Sequence, residues 1–427
     1  MRACPTEQLP HPGRSFQSWF GKKMPSGRSR DWARRPGILF RLGACCWPPG
    51  VGPNGGGQTE GSMDSVTQFA LGSVIGVATL GRRIGPRKAA ITGGLVATLP
   101  DMDVFLPSQD AITDFVSHRG FSHSLIVHTI VAPVLGLGIG KLFEGLRTAP
   151  RWQTIGAVWL MLTTHALLDA FTVYGTKLLW PLTDYPFGLG SVFIIDPLYT
   201  IPLAVVTLWA LFQGEWGKRI GRAASVGLVL SSMYLGWTVL AQQLMKEKIA
   251  GILEKQAIAA EKLLVTPMPF NTVLWKGIAI DGDRYVNVYS SLLDGPEARD
   301  IHPHARQLSL GDSLPDPAPA EAVARFSKGF YAYGFGKVGN REGDGDILVR
   351  DLRMGATPNY VFTFKLAESK GGAVRQAVPV KLKRIVEDGA LEWLWVRVFD
   401  EGATRSETSL HHAYTAQTGA EENNAGQ

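Results

Sequence analysis

"HRGFSHSLIVHTIVAPVLGLGIG" (residues 118–140) sets the reading of the whole chain. Its first seven residues hold His118, Arg119, Ser122, His123 and Ser124, and the rest is almost wholly apolar. A bilayer takes about 20 apolar residues to cross, so the run from 121 to 142 is long enough. Ionisable residues in such a run cost several kcal/mol without partners, so their presence suggests function. Working outward, three more runs of similar length follow at 152–173, 191–213 and 223–244. Two shorter apolar stretches precede, 66–80 and 89–100. The expected fold is an α-helical integral membrane domain over 63–245, with four long transmembrane helices and two short N-terminal apolar helices.

Basic residues orient it. Arg82, Arg83, Arg87 and Lys88 join the two short stretches, Lys141, Arg147 and Arg151 join the first two long runs, and Lys218, Arg219 and Arg222 join the last two. With one crossing per run all three loops fall on one side, which the positive-inside rule makes cytoplasmic. Residues 101–120, 173–190 and everything after 245 then face outward.

From 262 the pattern changes. "RYVNVYSSLL" (284–293), "YVFTFKLAE" (360–368) and "LEWLWVRVF" (391–399) alternate apolar and polar residues with aromatic and β-branched enrichment, the period of half-buried strands. "GDSLPDPAPA" (311–320) reads as a loop. Residues 262–403 are therefore expected to form a small, mostly-β soluble domain outside the cytoplasm, joined by a helical linker at 246–261 and followed by a disordered tail, 404–427.

The chain has 427 residues and a net charge of +6, with a mean hydropathy of +0.04 that is high for a soluble protein. Residues 1–62 hold nine Lys/Arg against three Asp/Glu, so the whole net charge sits there; the remainder has 34 of each sign. The basic balance thus gives no reason to expect a nucleic-acid surface on the folded part. That leader has no sustained period and is broken by Gly and Pro, which predicts disorder. The clean apolar pattern beginning at Met63 makes Met63 the expected start of translation. All three cysteines (Cys4, Cys45, Cys46) lie in the leader, so any metal in the folded part falls to His, Asp or Glu.

The candidate ligands come from four segments. In "PDMD" (100–103), Asp101 and Asp103 follow a helix-breaking proline and can point at one cation from a non-helical turn. In the opening motif, Gly120 lets the chain turn so that His118 and His123 converge, and the Arg119 guanidinium suits an anionic oxygen. In "HALLD" (165–169), His165 and Asp169 are four apart and share a helix face. Asp196, which opens the following run from the same side, is an additional site residue. Singly, each has a plainer reading as a packed histidine or a helix cap. Their agreement in depth favours a shared metal site. His128 lies five residues deeper than His123 and reads as packing, and His302, His304, His411 and His412 show no partner pattern.

With "LPDMD" (99–103), "HRGFSHS" (118–124), "HALLDAFTVYGTKLLWP" (165–181) and "FIIDPLY" (193–199), the chain resembles the predicted membrane-bound metal-dependent hydrolases, the YdjM-like bacterial inner-membrane proteins. The resemblance covers about 63–215. It implies an inner-membrane, multi-pass location and carries over Asp101, Asp103, His118, His123, His165 and Asp169 as ligands. Where many members have a histidine early in the first helix this chain has Gln68, a poor zinc ligand, so the site has one ligand fewer or Gln68 orients a water.

Two functions are expected to compete. The first is a metallohydrolase using a divalent ion, Zn²⁺ from the donor types, on a phosphoester or lipid-linked substrate at the outer membrane surface. Asp103 would be general base and Arg119 would stabilise developing charge. The second is a non-catalytic multi-pass protein with a structural metal site and a partner-binding outer domain. The residues do not fix an oligomeric state.

Overall fold

The computed structural model describes residues 61–405 and Glu407, apart from 296, 298–299, 338–343 and 384–388. The leader up to residue 60 and the tail from 408 lie outside the described residues, as do the expectations placed on them. The chain opens with α1 (Gly61–Ile84) and α2 (Pro86–Ala97), an antiparallel hairpin. Gly72, Gly76 and Gly93 let the two backbones touch. A Cβ on Gly72 would lie 2.4 Å from the Gly93 carbonyl oxygen, and one on Gly76 would lie 2.2 Å from that of Ala89. Small residues are how apolar helices approach without a hydrophobic drive between them. A 3₁₀ turn (Pro100–Phe105) and α3 (Ala111–Ser117) lead into the opening motif. Then come α4 (Leu125–Leu142), the one-turn α5 (Glu144–Arg147), α6 (Arg151–Phe171), α7 (Pro197–Phe212) and α8 (Lys218–Lys255).

Among the described residues three helices are long and apolar enough to cross a membrane: α4, α6 and α8. The expected fourth long span, 191–213, is instead the 16-residue α7. Asp196 causes the shortening. Its carboxylate accepts from the backbone N–H groups of Leu198 and Tyr199, fixing the helix start five residues into the apolar run. Nor is the first N-terminal helix short, since α1 runs for 24 residues.

The basic ends gather at one end of the bundle. Arg83 Nε donates to Gln153 Oε1 (3.0 Å) at the start of α6, and Arg87 Nε donates to the Leu211 carbonyl (2.6 Å) at the end of α7. The opposite end carries the histidines and carboxylates.

At 38 residues, α8 is about 57 Å long, far more than a bilayer core. Its second half buries Met245, Ile249 and Leu253 against Trp275, Ala279 and Val286 of the following domain. The linker expected at 246–261 is thus mainly the end of α8, welded to a sheet. That domain has two four-stranded antiparallel sheets. The first runs β1 (Lys262–Pro267), β2 (Leu274–Asp281), β3 (Arg284–Ser291), β4 (Ile301–Ala305). Between the sheets in sequence lie α9 (Ser309–Asp312) and α10 (Ala318–Phe326), where a loop was expected over 311–320. The second sheet takes β5 (Tyr331–Lys337), β6 (Gly345–Asp351), β9 (Thr363–Lys370) and β10 (Ala373–Lys381) in the order β10-β9-β6-β5, and β7 (Gly355–Ala356) pairs with β8 (Asn359–Tyr360).

"LEWLWVRVF" corrects a second expectation: it is α11 (Ala390–Phe399), not a strand. Leu394, Arg397 and Val398 form its buried face, spaced three and four apart. Its alternation of aromatics was compatible with either period. Glu407, within the stretch expected to be disordered, is buried against β3 and β4.

The two domains share a core. Phe115 of α3 packs on Phe326, Phe362 and Phe364 of the β domain and on Tyr174 just past α6. Arg353, paired with Asp351, donates to the carbonyls of Val173 (3.3 Å) and Tyr174 (2.9 Å).

Candidate metal centre

Pro100 ends α2 in a 3₁₀ turn whose tighter winding sends Asp101 and Asp103 to different neighbours. Arg119, at φ 58°, occupies the left-handed region, and with Gly120 after it the chain reverses. This places His118 and His123 on either side of the turn. Ser124 caps α4, accepting from Ile126 and Val127 N–H, and its hydroxyl donates to the Trp180 carbonyl. His123 is thereby fixed at the mouth of α4. One face of α6 presents His165 and Asp169.

Four of the six expected ligands meet. One ligand atom from each of Asp101, His123, His165 and Asp169 lies within 4.8 Å of all the others. His165 Nε2 is 3.1 Å from His123 Nε2. Asp169 Oδ2 is 3.0 Å from His123 Nε2 and 3.4 Å from His165 Nε2. Asp101 Oδ1 is 3.6 Å and 3.3 Å from the same two nitrogens. A tetrahedral ion with bonds of about 2.0–2.1 Å spaces its ligand atoms about 3.3–3.4 Å apart. The donor set therefore fits a small divalent cation. Asp169 Oδ2 is buried and makes no hydrogen bond among the described residues, although it faces two imidazoles. A buried carboxylate oxygen without a hydrogen bond is costly unless a cation takes that place. Two imidazoles and two carboxylates are the donor types zinc accepts.

Asp103 and His118 stand beside this set rather than in it. Asp103 Oδ1 is 3.0 Å from His118 Nδ1, while its Oδ2 accepts from Arg119 N–H (3.1 Å) and Ser122 Oγ (2.7 Å). Ser122 Oγ is also 2.9 Å from His123 Nδ1, so one hydroxyl links Asp103 to the ring that offers Nε2 to the cation site. Burial opposes the charge on both carboxylates. The histidines around them outweigh it: His123 and His165 hold Asp101, and His118 holds Asp103, below the usual carboxylate range.

The expected roles of Arg119, Gln68 and Asp196 change. The Arg119 guanidinium is buried, donating from Nη1 to Thr172 Oγ1 (3.1 Å), with Nη2 3.4 Å from Asp169 Oδ1 and the Tyr174 ring 5.1 Å away. It faces a carboxylate of the protein. Gln68 Nε2 donates to Asp169 Oδ1 (2.8 Å) and orients that carboxylate. Asp196 caps α7 and accepts from Tyr234 OH (2.8 Å). Gln68, Asp169, Asp196 and Tyr199 line a cavity of about 10 Å³, room for about one water. His128 binds the Ser122 carbonyl through Nε2 (2.7 Å) and is outside the donor set.

Sequence reasoning missed Ser122, Thr172, Tyr174 and Arg353. Ser122 lay inside the quoted motif, and a hydroxyl next to a ligand histidine was the available signal. Arg353 had none, because its contact with Tyr174 spans 179 residues.

Residues 63–245 match the family profile described as YdjM inner membrane protein. A 156-residue stretch is 26% identical to the uncharacterized protein YfhP of Bacillus subtilis (strain 168), covering 34% of this chain and 46% of that protein. The chain thus spans about half the length of the curated relative it matches. No solved structure is matched. The helical part of this chain, residues 63–245, is thus similar to the YdjM inner membrane proteins.

Proposed function

We propose that this chain is a membrane-bound metal-dependent hydrolase acting on a phosphoester or lipid-linked substrate. Asp101, His123, His165 and Asp169 would hold the ion. When bound, a divalent ion supplies an acidified water, lowering its pKa from about 15.7 towards about 7. The observation that carries the reading is the Asp103–His118 pair next to the donor set. A purely structural site has no need of it. Asp103 engages His118 Nδ1, which leaves Nε2 as the basic nitrogen of a partly exposed ring (29%). His118 is thus the general base, and Asp103, first expected in that role, positions it. Arg119 acts by holding Asp169.

A second reading has one observation in its favour. Four protein donors can close a tetrahedral sphere, as structural zinc sites do. The test is His118→Ala, assayed against phospholipid and lipid-linked phosphoester substrates with bound metal measured in parallel. Loss of about 10²–10⁴-fold in turnover with metal retained is expected. Equal turnover, or no hydrolysis by the unaltered chain, supports the structural site instead.

The basic ends of the bundle support an orientation with the metal and the β domain outside the cytoplasm. A reporter active only in the cytoplasm, fused after Asp400, should be silent; strong activity would invert the orientation.

A further inference from the structure

The ligands sit deep. His165 and Asp169 follow Arg151, the first residue of α6, by 14 and 18 positions. That is about 21 and 27 Å of helix, and tilt only shortens it along the bilayer normal. A hydrocarbon core is about 30 Å thick. With Arg151 at one headgroup plane, the centre lies several Å beneath the other. The surface around it agrees. Asp101 is the one donor residue whose side chain is appreciably exposed, at 20%. Its neighbours on the same turn point outward and are apolar: Met102, Val104, Phe105 (67% exposed) and Leu106. Phe121 continues this surface and meets the Trp180 ring at 6.2 Å. Leu182, on the same segment as Trp180, is 79% exposed. An aqueous mouth would carry polar residues at these positions; exposed apolar patches of this kind mark lipid or partner contact. Ile91 and Leu95 of α2, the helix that leads into this turn, are exposed and apolar as well, which favours lipid over a single partner protein.

We infer that the centre opens sideways into the acyl region, and that its ligand is an amphiphile reaching Asp101 from within the leaflet. The inference rests on the hydrolase reading only for what happens next; access is a separate matter. Apolar chains stay among the lipids while the polar headgroup is drawn down past Met102 and Phe105 to the donor set. A water-soluble molecule with the same headgroup would have to cross the apolar rim.

The test has two arms, neither using turnover. With Cys4, Cys45 and Cys46 replaced by Ser in the full chain, spin labels are placed at Phe105→Cys and Leu182→Cys, and at Ile130→Cys on the exposed face of α4 as a lipid-facing control. In liposomes, collisions with oxygen should exceed those with a water-soluble nickel chelate at all three sites. Chelate access exceeding oxygen access at 105 and 182, with the control normal, overturns the inference. In the second arm, the Co²⁺-loaded chain in mild detergent is titrated with dioleoyl phosphatidic acid or glycerol 3-phosphate, following the visible cobalt band. The lipid should shift the band at a concentration at least about tenfold lower. Equal or better response to glycerol 3-phosphate overturns it. Absence of hydrolysis with both arms positive would count against the hydrolase alone.

Discussion

Two buried clusters of ionisable side chains occupy the two halves of this molecule, and they are built on opposite principles. In the helical half, atoms able to ligate a metal crowd on one another: two imidazole Nε2 atoms 3.1 Å apart with carboxylate oxygens at 3.0–3.6 Å. In the β domain, a single carboxylate is met by donors. Glu407 accepts from Tyr289 OH (2.6 Å) and Asn287 Nδ2 (3.0 Å) and lies 2.6 Å from His304 Nε2. Those partners outweigh burial and pull its pKa from 4.5 down to about 2. In the second cluster the carboxylate itself is satisfied by protein donors, and it fastens Glu407 to β3 and β4. The first has the donor types and spacing that a bound cation would complete. Burial and clustering are common to both, so neither marks a metal site; the direction in which lone pairs and protons point does.

That contrast is open to attack by substitution. The largest effect should follow His123→Ala or His165→Ala, each lowering metal affinity by at least about two orders of magnitude, as ligand loss should match or exceed loss of a ligand's supporting partner. Metal content of the purified variants reads this out. Glu407→Gln should leave bound metal untouched and destabilise the β domain by about 2–3 kcal/mol at neutral pH, seen as a lowered melting temperature. Because the Glu407 pKa is depressed in the folded chain, its stabilisation is full above about pH 4.5 and fades as pH falls towards about 2. The variant should lose that part of the pH dependence. Ser122→Ala removes the hydroxyl between Asp103 and His123, and should weaken metal binding about tenfold, measured by competition with a chelator. The smallest effect belongs to His128→Ala, whose metal affinity should stay within about twofold.

How legible was this from the sequence? The four donors were, because a carboxylate or imidazole in an apolar run stands out against its neighbours, and alternating basic loops put the segments at one depth. The division of labour within "HRGFSHS" was not. His118 and His123 are equivalent in type, and only the left-handed turn at Arg119 sends one to Asp103 and the other to the cation site. Arg119 was read as facing substrate because its partner Thr172 is 53 residues away. The strand expected at 391–399 failed because a short aromatic run satisfies both periods, and burial by β3 decided for the helix. Asp196 shortened a span that hydropathy alone had set at full length.

The direct test of the central claim is the metal content, by mass spectrometry, of the full chain purified in mild detergent without added chelator. The account predicts about one tightly held divalent ion per chain, lost in both His123→Ala and His165→Ala and kept in Glu407→Gln. A metal-free wild-type chain after incubation with Zn²⁺, or an ion retained in both histidine variants, would contradict it.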